Sequence, residues 1–154
     1  MADIAAITER EVALIARFVD LLKEEQESLR RADPTALPDL GAAKITLVEQ
    51  LNGLENERRS ALGVADEEKP RAAMDKWLAA NPTQRAAAIN WKKVLELAEE
   101  ARQLHQLNAG LVALHLQQTN EALAVVNARP QSQTLYGSDG QAATASGSRI
   151  VDSA

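Results

Sequence analysis

Trp91–Ala128 reads WKKVLELAEEARQLHQLNAGLVALHLQQTNEALAVVNA, and it carries the clearest helical pattern in the chain. It contains no proline, and between Arg102 and Arg129 its only ionic side chain is Glu121. Leu104, Leu107, Leu111, Leu114, Gln118 and Val125 follow three- and four-residue steps and so share one helical face. A second row, His105, Val112, Leu116, Leu123 and Val126, repeats at the same spacing, about 140° away around the axis. A surface helix needs one apolar stripe, whereas two stripes ask for neighbours on two sides. Either both rows pack within the chain, or the first packs internally and the second receives a partner. On the second reading Val112, Leu116 and Leu123 form a contact surface, and replacing Leu107 or Leu111 damages the fold.

Working outward, the long helix is expected to begin at Asn81-Pro82, a cap-plus-proline signal. Unbroken to Ala128 it would span about 47 residues, or about 70 Å. Gly110, near its middle, marks a candidate bend. A shorter helix opens at Pro70 and carries Met74, Trp77 and Leu78, and the sequence does not place it against the rest. Gly63–Lys69 reads as a connector, with Gly63 a helix C-cap and Asp66-Glu67-Glu68 a solvated acidic run.

The first two helices form a pair. From Asp3 to Arg31 the apolar positions Ile4, Ile7, Leu14, Ile15, Phe18, Leu21, Leu22 and Leu29 share a face that Glu11 and Glu25 interrupt. Asp33-Pro34 breaks that helix and offers a cap for the next, although Pro38 and Gly41 delay or bend its start. Its seam, Leu37, Leu40, Lys44, Leu47, Leu51, Leu54, Arg58 and Ala61, alternates steps of three and four, which is a heptad. Lys44 and Arg58 are expected to lay their stems on the seam and send their charges out to water. Two helices of similar length joined by few residues predict an antiparallel hairpin.

The expected fold is therefore all-α: a hairpin, a short helix and one long C-terminal helix in an elongated bundle over residues 1–128. Residues 129–154 are dominated by Ser, Gly, Ala, Gln and Thr, and are expected to form a flexible tail. Composition agrees, since 45% of residues are hydrophobic but only 3% aromatic, which favours helices over sheets. The formal net charge of −5, without a Lys/Arg block, argues against nucleic acid and anionic membrane as partners. No cysteine is present, no stretch approaches a membrane span, and the N-terminus lacks a secretory signal, so a cytoplasmic protein is expected.

Chemistry-bearing constellations are thin. His105 and His115 lie about 280° apart around a helix and neither follows the Glu-x-x-His pattern, so no metal site is expected. Glu24-Glu25 and Glu99-Glu100 are neighbours on charged faces and lack the separate environments of an acid/base pair. There is no phosphate-binding glycine loop and no nucleophile elbow. Neither an enzyme nor a cofactor is expected. The tail instead holds the chain's one Tyr, in Thr134-Leu135-Tyr136-Gly137-Ser138-Asp139-Gly140-Gln141, a candidate short linear motif.

Taken in order, these features resemble the FlgN-type flagellar export chaperones. The likeness runs through Asp33-Pro34-Thr35-Ala36-Leu37, then Lys44-x-x-Leu47-x-x-x-Leu51-x-x-Leu54-x-x-x-Arg58, then Leu104-x-x-Leu107-Asn108-x-Gly110-Leu111 and Gln117-Gln118-Thr119. It closes on Tyr136-Gly137-Ser138-Asp139-Gly140 and Ser148-Arg149-Ile150. Family tails commonly read Tyr-Gly-Pro-Asp-Gly, so Ser138 leaves this turn less rigid. The resemblance implies a cytoplasmic chaperone that holds hook-associated proteins unassembled and delivers them to the type III export apparatus. The residues that would meet partners are Leu104, Leu107, Leu111, Val112, Leu114, Leu116, Leu123, Val126 and Tyr136. Two other readings stay open: a structural coiled-coil subunit, homodimeric through the Leu37–Ala61 seam, and an accessory subunit of an enzyme.

Overall fold

The computed structural model describes residues 3–64 and 68–127. Four helices follow in order: α1 (Ile4–Arg30), α2 (Leu37–Leu62), α3 (Pro70–Ala80) and α4 (Arg85–Asn127), with no strand among the described residues. The fold is all-α, as the periodicity predicts. The chain divides into two units, one reaching Leu111 and the other starting at Val112, so the division falls inside α4 and beside Gly110. None of the described helices is long and apolar enough to cross a membrane.

Local chemistry sets the helix ends. The Asp3 carboxylate accepts from the Ala5 N–H at 2.9 Å and caps α1. At its other end the Asp33 N–H donates to the Ser28 carbonyl, and the Ala32 N–H to that of Leu29. This is a Schellman ending with Ala32 at φ 54°, a position that usually falls to glycine. The α2 terminus repeats the motif around Gly63 at φ 67°. Asp33 does not cap α2: its carboxylate accepts from the Thr35 N–H and hydroxyl, a local turn that also holds its pKa low. The helix starts at Leu37 instead, with Pro38 in its first turn. A further turn at Asn81–Gln84 likewise delays α4 to Arg85.

The helices α1 and α2 form the expected antiparallel hairpin, as the pairs Arg10–Glu57, Glu11–Arg58 and Glu25–Lys44 require. Every seam position of α2 is buried or half-buried. On α1 the inward set is Ile4, Thr8, Glu11, Ile15, Phe18, Leu22, Glu25 and Leu29, again alternating steps of three and four. The core gathers Ile15, Val19 and Leu22 with Trp91 and Val94 of α4. Met74 of α3 is fully buried in this core and Trp77 and Leu78 pack against it, which places the short helix.

One expectation is reversed. Arg58 does not send its charge to water; it is 3% exposed and pairs with Glu11, itself 4% exposed. Lys44 is likewise turned inward, its Nζ donating to both Glu25 oxygens at 3.2 and 3.0 Å. The acids that interrupt the α1 face and the bases that interrupt the α2 seam are thus each other's partners, two heptads apart on both helices. A buried pair adds little net stability over apolar packing, but a shifted register would strand both charges.

Candidate partner-binding surface

The first part of α4, up to Leu111, is set on the hairpin through polar contacts between small apolar ones. Ala87, Trp91, Val94 and Ala101 are buried, with Leu97 and Leu104 packed beside them. The Asn90 amide donates to the Ala5 carbonyl at 3.1 Å and to the Thr8 hydroxyl at 3.3 Å. The Arg58 guanidinium lies 4.8 Å from the Trp91 ring centroid, a cation–π contact made while the same group pairs with Glu11. Asn108 donates at 2.9 Å to the Leu22 carbonyl and at 2.9 Å to Glu25, which also holds Lys44. Two three-helix junctions result, Glu11–Arg58–Trp91 and Glu25–Lys44–Asn108.

Burial governs the electrostatics of the first junction. The Glu11 pKa is raised, because desolvation opposes its charge more than the Arg58 hydrogen bond and charge support it. Glu11 Oε1, Arg58 Nε and Trp91 Nε1 are buried without a hydrogen-bond partner among the described residues. Each group ties helices together inside the bundle. No set of His, Asp or Glu able to hold a metal occurs among the described residues.

The inward stripe of α4 is Val94, Leu97, Ala101, Leu104, Asn108 and Leu111, not the row Leu104, Leu107, Leu111, Leu114, Gln118 and Val125 that spacing suggested. Leu104 and Leu111 are half-buried, but Leu107 is 58% exposed and the inward place beside it belongs to Asn108. The reason is polar: Asn108 finds two acceptors on α1, whereas the sequence reading ranked positions by apolarity. Continuing the heptad from Trp91 and Val94 would have found it.

From Val112 to Asn127 every residue except the half-buried His115 is exposed. Val112, Leu114, Leu116, Leu123, Val125 and Val126 show between 46% and 71% of their surface. Members of both apolar rows therefore face solvent along this stretch. Charge is nearly absent: the Glu121 carboxylate accepts from Gln117 at 3.1 Å. The last strongly charged pair upstream is Glu99–Arg102, where two guanidinium hydrogen bonds at 2.8 and 2.6 Å hold the Glu99 carboxyl below its ordinary range. A long run of exposed Leu and Val on a helix with little charge is the kind of surface that marks a protein contact.

Residues 1–144 match the family model described as FlgN protein. The chain belongs to the FlgN family. Over 61 residues it is 44% identical to a protein of Yersinia enterocolitica named flagella synthesis protein FlgN, a stretch covering 40% of this chain and 41% of that relative. The protein of the same name from the serotype O:8 / biotype 1B strain of that species gives the same figures. The chain thus aligns with about two fifths of the length of these curated relatives. No solved structure matches it.

On this FlgN-family chain the sequence-derived contact residues fall into three groups. Leu104 and Leu111 are half-buried in the first unit, while Leu107 is exposed there. Val112, Leu114, Leu116, Leu123 and Val126 are exposed in the second. Tyr136 and the rest of the tail lie outside the described residues. Sequence reasoning did not single out Ile45 and Val48 of α2, which are 63% and 42% exposed and share a face at a three-residue step.

Proposed function

We propose that the protein is a non-enzymatic, cytoplasmic export chaperone of flagellum assembly. It binds the amphipathic terminal segments of hook-associated proteins, keeps them from assembling early, and delivers them to the type III export apparatus. The observation that carries this reading is the exposed apolar surface of Val112–Asn127, in a family whose relatives are named for flagella synthesis. A subunit that later polymerises exposes apolar helical segments beforehand. A helix with uncharged apolar rows can cover such a segment by side-to-side packing. Gln and Asn between the rows limit the affinity, as release requires. Delivery falls to Tyr136, the one aromatic of the tail.

The test compares two variants with wild type in one flagellated strain, recording cargo co-purified from the cytoplasm and cargo secreted to the medium. Val112→Ser/Leu116→Ser/Leu123→Ser should lose cargo while keeping its melting temperature. Tyr136→Ala should keep cargo bound and lower its secretion, since a docked Tyr can contribute about 2 kcal/mol, or about thirtyfold in affinity. Unchanged cargo binding by the triple variant would remove the surface from the mechanism, and normal secretion by Tyr136→Ala would remove the tail residue.

A further inference from the structure

Between Lys69 and Lys93, on α3 and the first turns of α4, six cations stand against one acid, Asp75. Over the rest of the chain acids outnumber bases about two to one, and the formal net charge of the whole is −5. All six cations are exposed, and none has an acid within ion-pair distance among the described residues. Elsewhere the described cations are mostly engaged: seven of nine form ion pairs, Arg17 and Arg30 being the exceptions. The helix ends repeat the contrast. Arg30 and Arg59 sit in the last turns of α1 and α2, where the macrodipole favours a cation. Lys69 and Arg71 instead open α3 and Arg85 opens α4, with no acid in either first turn. The fold does not account for these charges.

On α4 they form a face. Arg85, Ile89 and Lys92 share one side of the helix by steps of four and three, with Lys93 beside them. The inward positions of the same turns are Ala87, Trp91 and Val94, which hold this stretch to the core. Arg85 to Lys93 spans about 12 Å, just over two turns. Ile89, between the cations, is 68% exposed, more than any other large apolar side chain before Val112.

We propose that this basic face of α4 binds an acidic segment of another protein, one that carries an apolar side chain among its carboxylates. The carboxylates meet Arg85, Lys92 and Lys93, and the apolar side chain covers Ile89. A nucleic acid or an anionic membrane presents charge over a far longer distance. Such a polyanion would run onto acidic sequence on both sides, Asp66-Glu67-Glu68 before the face and Glu96, Glu99 and Glu100 after it. A short acidic stretch escapes that repulsion, and Ile89 offers a phosphate backbone nothing. The chemistry is also the opposite of the nearly uncharged Val112–Asn127 surface, so the two take different partners. A contact of two turns is small, so binding is weak and sensitive to salt.

Amide chemical shifts of the isotope-labelled full chain read the contact directly. Two peptides of about twelve residues carry Leu at three- and four-residue steps, with Glu between them in one and Gln in the other. The Glu peptide should shift the amides of Arg85, Ile89, Lys92 and Lys93, and should bind about tenfold less tightly as salt rises from about 50 to about 200 mM. The Gln peptide should leave those amides in place. Lys92→Glu/Lys93→Glu should lower the affinity for the Glu peptide about tenfold or more. Both positions are exposed, so circular dichroism should be unchanged; should helicity fall, Lys92→Gln/Lys93→Gln carries the same comparison. Ile89→Ser should lower it about threefold, the apolar part of the contact. A Glu peptide that does not bind, or that shifts only Val112–Asn127, overturns the proposal. So does full affinity in the double variant, or an Ile89→Ser variant that binds as wild type does. Duplex DNA or phosphatidylserine vesicles that displace the Glu peptide from these residues would assign the face to a polyanion, and the proposal fails.

Discussion

The two parts of α4 place their apolar residues in opposite ways. Up to Leu111 the buried positions include Ala87, Ala101 and the polar Asn108, while the larger Leu107 and Ile89 face solvent. From Val112 onward the larger Val and Leu side chains are themselves exposed. Side-chain size therefore does not decide burial on this helix. Register decides it, because an inward position is one that meets α1 or α2, and polar groups there are kept where they find a partner. The exposed Leu and Val of the second part are the residues to which the proposed function assigns cargo.

The strongest way to break this contrast is to remove the polar lock on which the first part rests. Arg58→Ala strands Glu11 and takes the cation from the Trp91 ring, and should cost about 3–5 kcal/mol in denaturant unfolding. A loss below about 1 kcal/mol would show that the junction does not hold the helices together. Its pH dependence is a separate check. The folded-state pKa of Glu11 lies above its ordinary 4.5, so the folded chain takes up this proton first. This group thus adds stability as pH falls through its raised pKa toward 4.5, and withdraws it as pH climbs. Glu11→Gln removes the effect, so wild type should lose melting temperature relative to the variant as pH rises through that window. The opposite trend would mean that Arg58 outweighs desolvation.

Adjacent residues sharpen the comparison next. Asn108→Ala should cost about 1–3 kcal/mol, because it removes the amide that holds Glu25 and the Leu22 carbonyl. Leu107→Ser should stay within about 0.5 kcal/mol, as exposed substitutions do. Equal losses would mean that the inward stripe has been misplaced. The smallest effect belongs to the division itself. No heavy atom lies within 4 Å of a Cβ added at Gly110, so crowding does not require glycine there. Gly110→Ala should raise stability by at most about 1 kcal/mol through helix propensity. Slower amide exchange around Leu111 would accompany it.

Much of the fold was legible because its signals were periodic. The α2 heptad, the α3 start at Pro70 and the all-α class follow from spacing and proline position alone. What escaped was pairing. Glu11 and Glu25 read as breaks in one stripe, and Lys44 and Arg58 as surface-seeking charges in another, because each helix was read singly. Only the antiparallel hairpin brings these four into two bridges. Asn108 escaped for the same reason, since its acceptors lie on α1, far away in sequence. The row His105, Val112, Leu116, Leu123 and Val126 was legible as a stripe from its spacing and scarce charge. The sequence left open whether it packs within the chain, and only the structure shows these residues exposed.

The two-heptad separation of the bridges constrains how this chain can change length. Deleting one residue between Lys44 and Arg58 would turn every later α2 side chain by about 100° and shift it along the axis, so both bridges could not close at once. Removing seven residues from α1 and seven from α2 at matching levels would return each charge to its partner with its face restored. Insertions and deletions in the hairpin are thus tolerated in whole heptads, and only as matched events on both helices. Lengths of related hairpins should fall on a ladder with seven-residue rungs, while the turn between Arg31 and Ala36 is free to vary one residue at a time.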